Sequence, residues 1–135
     1  MSRDDDLEAL VSHIIDIGFK LHQQLGPGLL ETAYELILFE KLRQSGIEVA
    51  RQVPIDVRYD GILIETAFKI DLLIASRLVV ELKSVERPHP VHSKQVLTYL
   101  RLMNLPLGLL MNFGQALFKD GVKRITNGYD AGARS

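Results

Sequence analysis

Three ionisable residues interrupt two apolar runs in the middle of the sequence. Asp71 stands inside the first run, and Glu81 and Lys83 flank Leu82 in the second. A buried carboxylate without a partner costs several kcal/mol, so these side chains require compensation. Two carboxylates on neighbouring strands offer the hard oxygen ligands that Mg²⁺ prefers. A lysine on the same strand face can orient water or stabilise charge on a phosphate, which is typical of metal-assisted phosphodiester hydrolysis.

The connection between the two runs decides whether the carboxylates meet. If residues 75–77 form a three-residue turn, Asp71 lies opposite Glu81 and both side chains share a face of the sheet. A two-residue turn would pair Asp71 with Leu82 and send the carboxylates to opposite faces. The metal-site interpretation therefore predicts an odd-length connection or a bulge. On spacing alone, an ion pair between Lys83 and one carboxylate at a sheet edge explains the pattern equally well.

Two predicted helices carry polar residues that could join such a site. His92, Gln95 and Tyr99 occur at positions i, i+3 and i+7, so they project from one side of a helix. Glu31 and Tyr34 are i, i+3 neighbours near the start of an earlier helix. Taken alone, the first set is a solvent-exposed helix face, and the second is a first-turn carboxylate with a packing residue.

The elements that position these residues follow from hydrophobic periodicity and turn residues. Helices are predicted over residues 7–25, 31–44 and 91–103. Strands are predicted over residues 49–59, 62–68, 70–74, 78–82 and 107–113, with a last hairpin joining 117–118 to 122–126. This order predicts an α/β fold, a mixed central β-sheet flanked by α-helices. The tail, residues 127–135, is expected to be frayed.

Composition limits the classes of protein that the chain can represent. The 135 residues are 47% apolar and 24% charged, which predicts one folded domain over residues 1–135. The absence of cysteine excludes disulfides, zinc fingers and iron–sulfur clusters, and the spacing of His89 and His92 fits no zinc site. A net charge of −1 excludes nucleic-acid binding through bulk positive charge. With no targeting segment and no apolar run of ~20 residues, a cytoplasmic location without membrane contact is expected.

Four motifs together resemble those of a known family. Residues 28–34, GLLETAY, are similar to the GxxExxY motif of a small bacterial and archaeal family placed in the PD-(D/E)xK nuclease superfamily. Asp71 with residues 81–83, ELK, resembles the D…ExK core of that superfamily, although Ile70 replaces the preceding proline. Residues 95–99, QVLTY, resemble the QxxxY helix motif of its RecB-like exonuclease branch. Residues 107–114, LGLLMNFG, are similar to the GLLINF strand of the family.

This resemblance implies a restriction-endonuclease-like core that requires a divalent metal. By analogy, Asp71 and Glu81 would bind Mg²⁺ or Mn²⁺, and the backbone carbonyl of Leu82 would be an extra ligand. Glu31 would supply a further carboxylate near the metal. The remaining candidate site residues are a catalytic lysine and two residues that support the site or contact the phosphate backbone: Lys83, Gln95 and Tyr99.

Two functional hypotheses follow from the resemblance and the composition. The first is a small metal-dependent nuclease that hydrolyses phosphodiester bonds of nucleic acid, with DNA expected over RNA. The second is a catalytically silent binding or accessory module of the same fold, which acts as a homodimer or with a larger partner. The near-neutral charge favours the second hypothesis. Another Mg²⁺-dependent phosphoryl transfer on a nucleotide is a third possibility.

Overall fold

Five strands and four helices make up residues 3–129, the part of the chain that the computed structural model describes. The helices are α1 (Arg3–Leu25), α2 (Glu31–Gln44), α3 (Pro90–Met103) and α4 (Phe118–Gly121). The strands are β1 (Val49–Tyr59), β2 (Ile62–Ile74), β3 (Leu78–Lys83), β4 (Leu107–Asn112) and β5 (Val122–Thr126). Within this range, no helix has both the length and the apolar character needed to cross a membrane.

The strands form one mixed sheet in the order β1-β2-β3-β4-β5. The pairs β1–β2, β2–β3 and β4–β5 are antiparallel, whereas β3 and β4 run parallel. Helix α3 supplies the crossover that a parallel pair requires. The predicted fold class, a mixed sheet flanked by helices, is confirmed.

Apolar side chains cover both faces of the sheet. Helices α1 and α2 pack on one face, where Tyr34 and Leu38 of α2 join Leu72 and Val80 of the sheet in a large buried cluster. Helix α3 packs on the other face in a smaller cluster that contains Val96 and Leu100. The central strands β3 and β4 are therefore covered on both faces, as expected for strands that pair in parallel.

Strand β2 differs from the prediction of two separate strands, residues 62–68 and 70–74. It is continuous because residue 69 stays paired with residue 54 of β1. An irregularity does occur, but it lies between Ile55 and Val57 of β1. Opposite it, Thr66 adopts φ +48°, and its N–H donates to the Asp56 carboxylate at 2.8 Å. Polar composition near residue 69 marks solvent exposure rather than a strand end.

The predictions for the end of the chain are wrong in two places. Residues 117–118 form no strand: α4 is a single helical turn, and β5 pairs with β4 instead. Residues 127–129 are not frayed, because Tyr129 is 5% exposed and its hydroxyl donates to Glu8 at 2.6 Å. The backbone N–H of Asn127 also donates to the Pro106 carbonyl at 2.9 Å. The rest of the predicted tail lies outside the described residues.

Candidate active site

Asp71 and Glu81 meet where the pairing of β2 with β3 ends. The two strands pair from Ile74↔Leu78 to Leu72↔Val80, so the connection has three residues, 75–77. The predicted odd-length connection is therefore confirmed. The next pair in this register would be Asp71 with Glu81, the arrangement that brings the two carboxylates together.

Hydrogen bonds from the backbone fix both carboxylates. The N–H of Asp71 donates to Glu81 Oε1 at 3.1 Å, and the N–H of Leu82 donates to Asp71 Oδ2 at 2.9 Å. Each carboxylate thus accepts from the backbone of the opposite strand, in place of a strand carbonyl. In the described residues, no lysine lies within ion-pair distance of either carboxylate. The alternative of an ion pair at a sheet edge is therefore wrong, since the carboxylates lie on interior strands and face each other.

The proximity of two acids changes the ionisation of Glu81. Its side chain is buried, and this burial together with the negative charge of Asp71 raises the pKa of Glu81 from 4.5 to about 8. The positive charge of Lys83 opposes this rise. At neutral pH, the pair therefore retains a proton unless a cation takes its place.

Lys83 lies on the same face of β3 as Glu81, two residues along the strand. It is half-buried and pairs with Asn112 of the parallel strand β4. Its charge acts on Glu81 and also lowers the pKa of His92, for which burial is the larger cause. The structure therefore brings Asp71, Glu81 and Lys83 to one end of the sheet.

The oxygen ligands at this site fit a divalent ion that keeps several water ligands better than an ion that is coordinated by protein side chains alone. Across residues 3–129, no three His, Asp or Glu side chains gather closely enough to hold a metal. Asp71 and Glu81 supply two carboxylates, and Leu82 supplies a backbone carbonyl beside them. Mg²⁺ is commonly held by one or two carboxylates, with water and substrate phosphate as the other ligands. The residues present therefore fit Mg²⁺ or Mn²⁺ without a third acidic side chain.

Glu31 lies at the mouth of this site but does not join the carboxylate pair. It occupies the first turn of α2, and its Oε1 accepts the N–H of Ser84 at 3.4 Å. The Ser84 hydroxyl donates to the Leu29 carbonyl at 2.6 Å, which fastens the loop before α2 to the end of β3. Glu31 is exposed, so its carboxylate faces solvent beside the residue that follows Lys83.

Tyr34 has a structural role in the same segment. Its hydroxyl donates to the Gly26 carbonyl and accepts the N–H of Leu29 at 3.2 Å. Its ring stacks on Phe113 with centroids 4.2 Å apart. A methyl group at Gly28 would meet no atom within 4 Å, so close packing does not require glycine there. The motif of residues 28–34 therefore shapes the loop that presents Glu31.

Helix α3 places Tyr99 near the acidic pair, whereas Gln95 is exposed on the same helix. Tyr99 is half-buried and stacks on Phe68 of β2 with centroids 4.2 Å apart. Burial, and then the charges of Glu81 and Asp71, raise its pKa, which places the phenol near the acidic pair. Gln95 is exposed, and its side chain makes no hydrogen bond to residues 3–129. Of the two residues, Tyr99 is the one whose contact with the sheet is established, through its stacking on Phe68.

Three residues that no sequence pattern singled out lie behind Asp71: Glu35, Arg51 and Gln52. Glu35 of α2 is only 4% exposed, and it forms an ion pair with Arg51 of β1 at 2.6 Å. Gln52 donates to both Glu35 and Asp71. The available signal was a carboxylate on the apolar side of α2, one residue after Tyr34. It could not identify partners that lie 16 and 17 residues further along the chain.

The side chain of Asn112, whose role no sequence pattern indicated, holds the loop after β3. Asn112 is buried at the end of β4, where its side chain accepts the N–H of Val85 at 3.0 Å and donates to the Val85 carbonyl at 2.9 Å. Its oxygen also accepts the N–H of Gly114. A methyl group at Gly114 would lie 2.3 Å from the Val85 carbonyl oxygen. The residues that follow Lys83 are thus held closely against β4.

A mixed sheet that brings an aspartate and an ExK triplet together on adjacent strands is consistent with the fold of a PD-(D/E)XK nuclease. The family model of the PD-(D/E)XK nuclease superfamily matches residues 8–125. The chain therefore belongs to the PD-(D/E)XK nuclease superfamily. Nucleases of this superfamily typically use divalent metal ions, and the superfamily implies a nucleic-acid substrate.

The fold is also similar to that of a solved protein. The crystal structure of SSO0001 superimposes with a TM-score of 0.54 at 19% sequence identity. The match covers 74% of this chain and 52% of that protein, so this chain spans about half its length. No curated protein matches the sequence.

Proposed function

We propose that this chain is a metal-dependent nuclease that hydrolyses phosphodiester bonds of DNA. The observation that supports this proposal most directly is the convergence of Asp71 and Glu81, with Lys83 on the same face of β3. Membership of a nuclease superfamily adds to this support. A buried carboxylate held against a second, half-buried carboxylate is unfavourable without a cation, so a function that supplies one explains the placement of Glu81 and Asp71.

Asp71, Glu81 and the carbonyl of Leu82 would hold Mg²⁺ or Mn²⁺ in this proposal. Such an ion supplies Lewis-acid polarisation of the phosphodiester and favours formation of the attacking hydroxide. The backbone N–H groups that bond to the two carboxylates keep them oriented toward each other. Glu31, at the mouth, would bind through water rather than directly, because it does not cluster with the other two acids.

Lys83 would stabilise the negative charge that develops on the phosphate during attack. Its ammonium group is already close enough to Glu81 to oppose the rise in that residue's pKa. Tyr99, next to the acids and stacked on Phe68, would line the phosphate path. Gln95, exposed one turn earlier on α3, would contact the nucleic-acid backbone.

DNA is the proposed substrate because residues 95–99 resemble a helix motif of RecB-like exonucleases. The similarity of residues 28–34 to the GxxExxY motif supports assignment to that subfamily. A net charge of −1 gives little general attraction for phosphates. Substrate affinity should therefore depend on the divalent ion more strongly than is usual for a basic nucleic-acid-binding domain.

The test is cleavage of double-stranded DNA, single-stranded DNA and RNA with Mg²⁺ or Mn²⁺, compared between wild type and Lys83→Ala. We expect the variant to fold and bind Mn²⁺ but to lose about 10²–10³-fold in rate, as when one charge-stabilising donor is removed. Lys94→Ala is the matched control. Its side chain is exposed on helix α3, and the variant should cleave like wild type. A Lys83→Ala variant as active as wild type would refute the catalytic role.

A catalytically silent binding module is the second candidate. The observation that favours it is that no third acidic side chain gathers with Asp71 and Glu81 in the described residues, while burial and the charge of Asp71 raise the pKa of Glu81 and so disfavour a doubly charged pair. Calorimetric titration with Mg²⁺ and Mn²⁺ separates the two candidates, because a silent module should release no heat of binding. Measurement of the molar mass in solution tests the homodimer that this candidate includes.

A further inference from the structure

We infer that Glu35, Arg51 and Gln52 form a positioning group that holds the Asp71 carboxylate in its metal-binding orientation. This inference rests on the proposed function and adds residues that lie outside the D…ExK motif. The group connects helix α2, strand β1 and strand β2, and it reaches Asp71 from the side opposite Glu81.

The anchor of the group is the buried carboxylate of Glu35. Its Oε2 accepts from Arg51 through Nε at 3.0 Å and through Nη2 at 2.6 Å. Its Oε1 accepts from Gln52 Nε2 at 2.7 Å. Both oxygens are therefore satisfied, and the charge is balanced by one guanidinium group. Arg51 also lies over the Phe39 ring of α2, 6.0 Å from its centroid, which limits its movement.

Gln52 connects the Glu35–Arg51 ion pair to Asp71 through hydrogen bonds. Its side-chain amide nitrogen donates to Glu35 Oε1 and also to Asp71 Oδ1, the second bond at 3.3 Å. An amide nitrogen has two hydrogens, so it can serve both carboxylates at once. Asp71 Oδ2 already accepts the N–H of Leu82. Each oxygen of Asp71 therefore has one fixed donor and keeps a lone pair for a cation.

The backbone at Gln52 is in an unfavourable conformation that serves this contact. Its φ is +50°, in the left-handed region that residues with a side chain rarely adopt. On one side of this point, Val49 of β1 packs toward α1 and α2. On the other side, Val53 packs toward α3, although the two residues have the same strand parity. At Gln52, the side chains of alternate residues of β1 therefore switch from one face of the sheet to the other. In the register, Gln52 lies opposite Asp71.

In strand β2, alternate side chains switch faces of the sheet at Asp71, next to Gln52 of β1. Ile70 belongs to the cluster under α3, whereas Leu72 belongs to the cluster under α1 and α2. Asp71 therefore lies at the crossover point of both strands. Ordinary packing cannot hold a side chain at such a point on either face. Specific hydrogen bonds from Gln52 and Leu82 hold it instead.

The test is Gln52→Gly, which keeps the left-handed backbone at no steric cost and removes only the bridging amide. We expect the variant to fold, and we expect its affinity for Mn²⁺ and its cleavage rate each to fall about 10–100-fold. We also expect the N–H of Leu82 to exchange faster with solvent, because the carboxylate that accepts it is free to move. Asn104→Gly, which relieves φ +55° at the end of α3, is the matched control and should change none of these.

Gln52→Asn provides a second variant. Asparagine tolerates the left-handed conformation, but its shorter side chain cannot reach both carboxylates, so it should behave like the glycine variant. Unchanged Mn²⁺ affinity and unchanged exchange at Leu82 in both variants would overturn the positioning role. If wild-type protein neither cleaves nor binds Mn²⁺, the proposed function fails. Amide exchange at Leu82 then decides the positioning role alone: faster exchange supports it and unchanged exchange refutes it.

Discussion

Glu81→Gln should stabilise the metal-free protein while it abolishes metal binding. In wild type, the buried Glu81 carboxyl must ionise beside Asp71, and this raises its pKa to about 8. Glutamine has nearly the same shape, and its side-chain oxygen can still accept the N–H of Asp71. The substitution therefore removes the electrostatic conflict and keeps the hydrogen bond.

The magnitude follows from the two pKa values of Glu81. Between pH 4.5 and about 8, the folded chain keeps a proton that the unfolded chain has released. The free energy of unfolding of wild type therefore falls as pH rises through this window and levels off above it. At about 1.4 kcal/mol per pKa unit, the full difference sets an upper limit of about 5 kcal/mol. Because the carboxyls can separate and water can enter, we expect a gain of about 1–3 kcal/mol.

Urea unfolding in EDTA at pH 5 and pH 9 measures this gain. Glu81→Gln should exceed wild type slightly at pH 5 and by the full amount at pH 9. The matched control is Glu35→Gln, which neutralises a buried carboxylate that is paired with Arg51. It should lower the free energy of unfolding by about 1–3 kcal/mol at both pH values. Equal stability of Glu81→Gln and wild type at pH 9 would show that the two acids do not repel each other in the fold.

Two further predictions concern the scaffold around the site. Gly114→Ala should destabilise the chain by about 1–3 kcal/mol in urea, because its methyl group would overlap the Val85 carbonyl, whereas Gly28→Ala, with open space around it, should be close to neutral. The hydrogen bond from Arg124 lowers the pKa of Glu8 from 4.5 to about 2, so the stabilisation from this pair should be complete above pH 4.5 and lost as pH falls toward 2. Glu8 is about one-third exposed, which limits the effect to ~1 kcal/mol, and a Glu8→Gln variant should be less stable than wild type at pH 7, with a difference that shrinks as pH falls toward 2.

Local patterns predicted the elements that carry the acidic pair. Helix α2 and strand β1 have the bounds that periodicity indicated, because turn residues border both. The three-residue connection before β3 was also accessible, since alternation forces any site built from Asp71 and Glu81 to have an odd-length turn. The sequence was sufficient to predict this connection because a shared metal site and strand alternation both constrain Asp71 and Glu81.

Long-range contacts determined what the sequence did not reveal. Gln52 appears as an ordinary polar residue of an alternating strand, and only the fold shows its left-handed backbone and its bonds to two acids. Tyr129 is buried, and its hydroxyl donates a hydrogen bond to Glu8, near the other end of the chain. The turn α4 stands where a hairpin strand was predicted, and Gly121 at its end packs against the Asn112 carbonyl, where a methyl group would lie 2.1 Å away. None of these partners is near in sequence.

The end of the β2–β3 pairing and the acidic site are one structural feature. If the antiparallel pairing continued beyond Leu72↔Val80, hydrogen-bonded pairs would alternate along the strands, so a carbonyl of the partner strand would take the N–H of only one of Asp71 and Leu82. One of the two carboxylates would then lose its backbone donor. Because the strands separate here, those N–H groups bond to the carboxylates instead. Strand β3 keeps its position through its parallel partner β4, so its backbone pairing with β2 can end at the site without loss of the strand.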